Sequence, residues 1–223
     1  MHSQSNSTSI VTALSSAHAI KQILSNEYNP RVRLSTTKDP KVIWHNPRLR
    51  LIPDKATDHE EAEFLSNLAR KIGLRIEKSS ECASVEGLVD RYGGRGLGRN
   101  GGSGRSVLVG ETYLKGVGRT PLLGRSTDPA HASGGSYLEE CAREILFSEI
   151  VAAEFPFGCV PTLAVCLTGD SSVWRTSSGE KYERQCILAR PLFIRPSHFE
   201  RAAGYDPLSR NEFSIDEARV ASS

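Results

Sequence analysis

Lys115, Glu144, Arg190 and Arg195 are side chains whose types suit work on a charged ligand, and a stretch rich in glycine and arginine precedes most of them. Residues 91–127 hold seven basic residues (Arg91, Arg95, Arg99, Arg105, Lys115, Arg119 and Arg125), one acid, Glu111, and 11 of the 19 glycines. That window carries +6, whereas the whole chain carries only +2. Glycine lets backbone N–H groups approach a ligand closely, and the planar fork of arginine matches phosphate and carboxylate oxygens. The chemistry that fits is the holding of an anion. A lysine ammonium aimed at phosphates needs a carboxylate beside it to stay charged and in place. Glu144, next to the apolar Ile145 and one helical turn from Cys141, is the candidate for that partner.

These residues must be positioned by elements that the pattern also suggests. Residues 92–104 read as a glycine loop, followed by short strands at 106–110 and 112–117, with Lys115 in the second and Thr120-Pro121 breaking it. Ser136 with Glu139 predicts the capped start of a helix whose apolar face is Leu138, Cys141, Ala142, Ile145 and Ala152, ended by Phe155-Pro156. Strands are expected at 162–168, 173–175 and 185–190, with turns at Gly169-Asp170 and 177–179. Upstream, Ile10, Leu14, Ala17, Ile20 and Leu24 have helical spacing behind Ser9, and 41–44 and 48–52 read as strands around Asn46-Pro47. Asp58, with Glu61 in the capping-box position, opens another helix that Gly73 closes. Ser214 and Glu217 form a further capping box close to Ser223. Strands, one long helix and more strands predict an α+β fold, not regular βαβ alternation.

Length and composition bound the rest. With 223 residues, 38% hydrophobic and 24% charged, the chain can bury a core. Collagen-like, wholly disordered and disulfide-dense classes are excluded. No apolar run approaches the ~20 residues of a membrane-spanning helix. Five cysteines without a CxxC pair predict reduced thiols and no zinc site. The N-terminus lacks a secretory signal, so a cytoplasmic location is expected; its Ser-rich, acid-poor first forty residues keep a mitochondrial address open. The small net charge gives no global signature of a nucleic-acid binder.

Gly96-Leu97-Gly98-Arg99-Asn100-Gly101 matches GxGxxG in form, but strands follow it where a dinucleotide fold needs a helix, and no GxxxxGK[ST] exists. A glycine loop, a strand lysine and a helix glutamate instead follow the logic of a kinase-type small lobe, where the lysine holds phosphates and the glutamate orients it. Tyr92-Gly93-Gly94-Arg95-Gly96-Leu97-Gly98, Gly102-Ser103-Gly104-Arg105, Val109-Gly110-Glu111 and Leu114-Lys115-Gly116-Val117-Gly118-Arg119-Thr120-Pro121 resemble, in order, the N-lobe of the SelO-type (selenoprotein O-like) protein adenylyltransferases. Arg143-Glu144, residues 158–165 and Arg190, Arg195 and His198-Phe199-Glu200 continue the resemblance, which spans about half the chain at 92–201.

The resemblance implies a kinase-like fold that binds ATP in a flipped orientation and transfers AMP to hydroxyl side chains of proteins, with Mg2+ or Mn2+. Carried over by position, Gly102, Gly104 and Arg105 would line the nucleotide, Lys115 would bind phosphate beside Glu144, and Arg190 and Arg195 would surround the triphosphate. The family's Asp-Gly after the lysine falls either on Asp128-Pro129 or on Ser133-Gly134, which makes Asp128 and Gly134 candidates. Arg95-Gly96 stands where the family has His-Gln, and Ser103 where it has Asp. No counterpart of its C-lobe Asp-Asn segment precedes Ser223, so the catalytic base and metal ligands are expected outside this chain, and the chain is expected to be inactive alone. The divisions that follow are a 1–40 extension, a 41–90 accessory segment, a 91–203 nucleotide-binding lobe and the start of a further region at 204–223.

Two other classes compete. Arg95-Gly96, Arg99-Asn100-Gly101-Gly102 and Gly104-Arg105 resemble a short Arg/Gly tract that binds RNA through charge and flexibility. A non-catalytic, pseudokinase-like interaction module is the other. His198 is expected to pack or cap locally, and Glu140, Arg143 and Glu149 offer an ordinary charged face as the rival setting for Glu144.

Overall fold

The computed structural model describes residues 29–76, 84–93, 102–123, 132–176, 179–200, 217–218 and 220–221. The helix expected at 10–24 and the cap at Ser214 lie outside these; 217–218 and 220–221 are helical. The elements are β1 Arg31–Thr36, β2 Lys41–His45, α1 Asp58–Ile72, β3 Leu74–Ile76, β4 Val85–Arg91, β5 Gly102–Val109, β6 Thr112–Lys115, β7 Ser136–Tyr137, α2 Leu138–Glu154, β8 Ala164–Thr176 and β9 Gly179–Pro191. Among the described residues, nine strands form one antiparallel sheet in the order β2-β8-β9-β6-β5-β4-β1-β3, with β7 added on β9. This is the α+β class the sequence predicts. One sheet runs through the divisions drawn at residues 40 and 90, because β1 pairs with β4 and β4 with β5.

Alternation along the strands sorts side chains onto two faces. Leu34, Val107, Leu114, Ile187 and Ala189 face α1, whose Ala69 and Ile72 complete the main core. On the opposite face Val165, Cys186 and Leu188 pack with Cys141 and Ile145 of α2. Lys115 follows Leu114, so it emerges on the α2 face. The register that puts it there is set by a two-residue turn: Val109 pairs with Thr112, and Gly110 between them sits at φ +60°. A positive φ at the first central residue is what a Gly-first hairpin turn requires.

Local signals misplace several boundaries. The α1 capping box is Thr57 with Glu60, one residue before the pair read from the sequence; Thr57 N–H donates to Glu60 Oε2 at 2.7 Å. Gly73 ends α1 with φ −76°, outside the left-handed region. Residues 48–52 are not a strand: Pro47–Leu49 is a 3-10 turn that Asn46 caps. Ser136 does not cap α2 but pairs with Cys186 in β7, and its hydroxyl donates to Glu140 Oε2 at 3.0 Å. Gly169-Asp170 is not a turn between separate strands. It is a bulge inside β8, where the pairing with β9 shifts between Leu167 and Ser171. The long β8–β9 pairing overrides the local turn chemistry there. Cys141, Cys159, Cys166 and Cys186 are free thiols.

Candidate functional site

The site grows from β6, which is hydrogen-bonded on both sides. Lys115 stands opposite Ser106 of β5 and Leu188 of β9. Such a strand fixes its side chains more firmly than an edge strand does. Above it, Glu140 and Glu144 lie one turn apart on α2. Lys115 Nζ donates to Glu140 Oε1 at 2.8 Å and to Glu144 Oε1. The strand lysine and helix glutamate are therefore paired, and a second carboxylate shares the ammonium. Arg190, two residues beyond Leu188 and on the same face, donates from Nη2 to Glu144 Oε2 at 2.8 Å.

Glu140 is the member that sequence reasoning missed. Arg105 grips it with both terminal nitrogens, Nη2 to Oε1 at 2.7 Å and Nη1 to Oε2 at 3.1 Å, and also donates to the Gly135 carbonyl at 3.0 Å. The ordinary charged face read for Glu140 and Glu149 dissolves: Glu149 binds Asn46 and Arg48, while Glu140 turns inward. The available signal was its i,i+4 spacing from Glu144 on a helix, which puts both on one side.

Burial opposes ionisation of the Glu140 carboxyl, yet Lys115 and Arg105 outweigh it and lower its pKa to about 2 from the ordinary 4.5. A carboxylate with a depressed folded pKa stabilises the fold above its unfolded pKa, and that contribution is lost as pH falls towards the folded value. Between pH 4.5 and about 2 the melting temperature of the wild type should fall more steeply than that of Glu140→Gln. Parallel slopes in thermal melts over that window would show that Glu140 does not carry this linkage.

These groups border a cavity of about 250 Å³. Arg105, Lys115, Arg190 and Arg195 bring four cations to it, Glu144 one carboxylate, and Leu188, Tyr113 and Phe193 apolar lining. Arg190 Nε and Arg195 Nε are buried without a hydrogen-bond partner among the described residues. Buried N–H donors in that condition fit an anion from outside the chain.

Arg195 is held differently from the other cations. Its Nη2 donates to Asp90 Oδ2, and its guanidinium lies 4.3 Å from the Tyr92 ring centroid and 5.1 Å from that of Phe193. The Asp90 carboxylate is fully buried and also binds His198 Nε2 at 2.8 Å and the Tyr113 hydroxyl at 3.3 Å. His198 is buried and caps the turn at Pro196–Phe199 as expected, accepting the Arg195 N–H at Nδ1, and it also holds Asp90. Burial first, then the charge of Asp90, raises the Tyr113 pKa and keeps its hydroxyl a donor.

The predicted glycines do not border the cavity. Gly104, at φ +75°, has no room for a side chain, because a Cβ would lie 2.9 Å from Leu123 Cα. Gly134, at φ +74°, packs against Gly118, and a Cβ would lie 2.6 Å from the Gly118 carbonyl oxygen. Gly102 packs against Leu122 and the Asp90 carbonyl in the same manner. Close packing of 118–123 and 134 explains these three without a ligand. Asp128 lies outside the described residues, as do Arg95, Gly96, Arg99, Asn100 and Gly101 of the Arg/Gly tract; Gly102, Gly104 and Arg105 of that tract are buried. Among the described residues no group of three or more metal-ligating side chains comes together, and no helix is long and apolar enough to cross a membrane.

Over 108 residues the chain is 39% identical to the protein nucleotidyltransferase YdiU of Variovorax paradoxus (strain S110). The match covers 44% of this chain and 19% of the relative, so the chain spans about a fifth of the length of the curated relative it matches. No family model matches the chain. The similarity relates part of this chain to a protein nucleotidyltransferase.

Proposed function

We propose that this chain is the ATP-binding small lobe of a SelO-like protein adenylyltransferase, with a kinase-like arrangement of strand lysine and helix glutamate. The observation that carries the reading is the convergence of Arg105, Lys115, Arg190 and Arg195 on one cavity. At about 250 Å³ the cavity is below the roughly 300–1,000 Å³ of complete small-molecule sites, so it takes the triphosphate, and the base lies beyond it. Lys115 and Arg190 can turn to phosphate oxygens because Glu144, which they share, is half-buried and can yield one of them, and Arg195 adds a third cation at the same cavity. Arg105 supports the lysine indirectly through Glu140. In a complete enzyme, AMP would pass to a protein hydroxyl and pyrophosphate would leave. The described residues offer no cage for Mg2+ or Mn2+, which would be held by the phosphates and by carboxylates elsewhere.

Calorimetric titration of the 223-residue chain with ATP tests this reading. Saturable binding that weakens with added salt and is displaced by inorganic tripolyphosphate is expected. A folded chain that binds neither compound would overturn it. Incubation with labelled ATP should leave protein hydroxyls unmodified, and clear labelling would overturn the view that the chain lacks its catalytic base.

A further inference from the structure

We propose that Asp90 and His198 form a positioning unit that presets Arg195 as an anion-binding guanidinium, an inference that rests on reading the cavity as a polyphosphate site. Asp90 ends its side chain in complete burial, with three donors on its two oxygens: Arg195 Nη2, His198 Nε2 and the Tyr113 hydroxyl. A fully buried carboxylate is retained only when it is paired and hydrogen-bonded in this way.

The histidine tautomer follows from its partners. The backbone N–H of Arg195 donates to His198 Nδ1 at 3.0 Å, so Nδ1 is the acceptor and Nε2 carries the proton given to Asp90. Arg195 is thereby clamped at both ends: its backbone by His198, its guanidinium by Asp90. The guanidinium carbon lies over the rings of Tyr92 and Phe193, which confine it further. The Gly93 N–H bonded to the Ser197 carbonyl at 2.7 Å ties the same two segments together by backbone.

The contrast with the other cations gives the arrangement its purpose. Lys115 and Arg190 share a glutamate that is about a quarter exposed, so an arriving anion can displace it. Asp90 has no route to solvent and stays on Arg195. Arg195 therefore meets the anion already oriented, with the ordering of a long side chain completed beforehand.

The test uses the full chain, with ATP and inorganic tripolyphosphate as probes and the Arg195 Nε–H resonance as a ligand-independent readout. Asp90→Asn and Arg195→Ala should each weaken tripolyphosphate binding roughly tenfold or more, and the double variant should bind no worse than Arg195→Ala. His198→Ala should behave like Asp90→Asn, and His198→Gln, which keeps a donor towards Asp90, should rescue binding. Should Asp90→Asn fail to fold, the two His198 variants carry the same comparison. The Arg195 Nε–H resonance should move in Asp90→Asn and His198→Ala but not in His198→Gln. Additive losses in the double variant, wild-type affinity in folded Asp90→Asn, or an unmoved resonance would overturn the proposal. A wild type that binds neither probe overturns the nucleotide reading, and the resonance then decides the positioning role by itself.

Discussion

Lys115→Ala should weaken ATP binding by about 2–3 kcal/mol, the loss of a charge-assisted hydrogen bond, or roughly 30- to 160-fold. The removed ammonium sits between Glu140 and Glu144. Its loss deletes one cation from the cavity and also leaves Glu144 facing the incoming phosphates with only Arg190 to offset it. Both effects act in the same direction. Lys115→Arg keeps the charge but not the compact geometry that two carboxylates share, so an intermediate loss is expected. The fold should survive, because Lys115 is half-buried and Arg105 continues to hold Glu140. Calorimetry gives the affinity and a urea melt the stability. A folded Lys115→Ala protein with wild-type affinity would remove Lys115 from the site.

Arg105→Ala should act on stability, with a loss of about 3 kcal/mol, the lower end for breaking a buried ion pair. Arg105 is 6% exposed and donates twice to Glu140 and once to the Gly135 carbonyl among the described residues. Glu140 retains Lys115 and Ser136 as partners, which keeps the loss from being larger. Removing both members, in Arg105→Ala with Glu140→Ala, should cost less than the sum of the single changes. Urea denaturation of the four proteins measures this coupling. If Arg105→Ala is as stable as the wild type and loses only ATP affinity, Arg105 contacts the nucleotide directly, as the family resemblance implies.

The central pair was legible because its two signals are local. A lysine in a short strand after a glycine loop and a glutamate inside an amphipathic helix are each visible in one window, and they meet. Glu140 was hidden because the face it takes depends on how α2 is rotated over the sheet, which Cys141 and Ile145 set against Val165 and Cys186. Ser136 reads as a helix cap in its own window, because its strand partner Cys186 stands fifty residues downstream. Asp90 was the least visible. It lies in β4, where Gly87 and Asp90 both disfavour a strand, and its burial is made acceptable by Arg195 and His198, more than a hundred residues away. The glycines are ambiguous for a related reason: freedom near a ligand and close packing between loops demand the same residue.

The turn at Gly110-Glu111 has a consequence beyond its size. Adding or deleting a single residue there would shift β6 by one position against β5 and exchange its two faces, sending the ammonium of Lys115 towards the oily side under α1 and Leu114 towards the anion. The length of one loop thus works as a parity bit. The chemical character of the cavity is written in whether the chain takes an even or an odd number of steps to reach it.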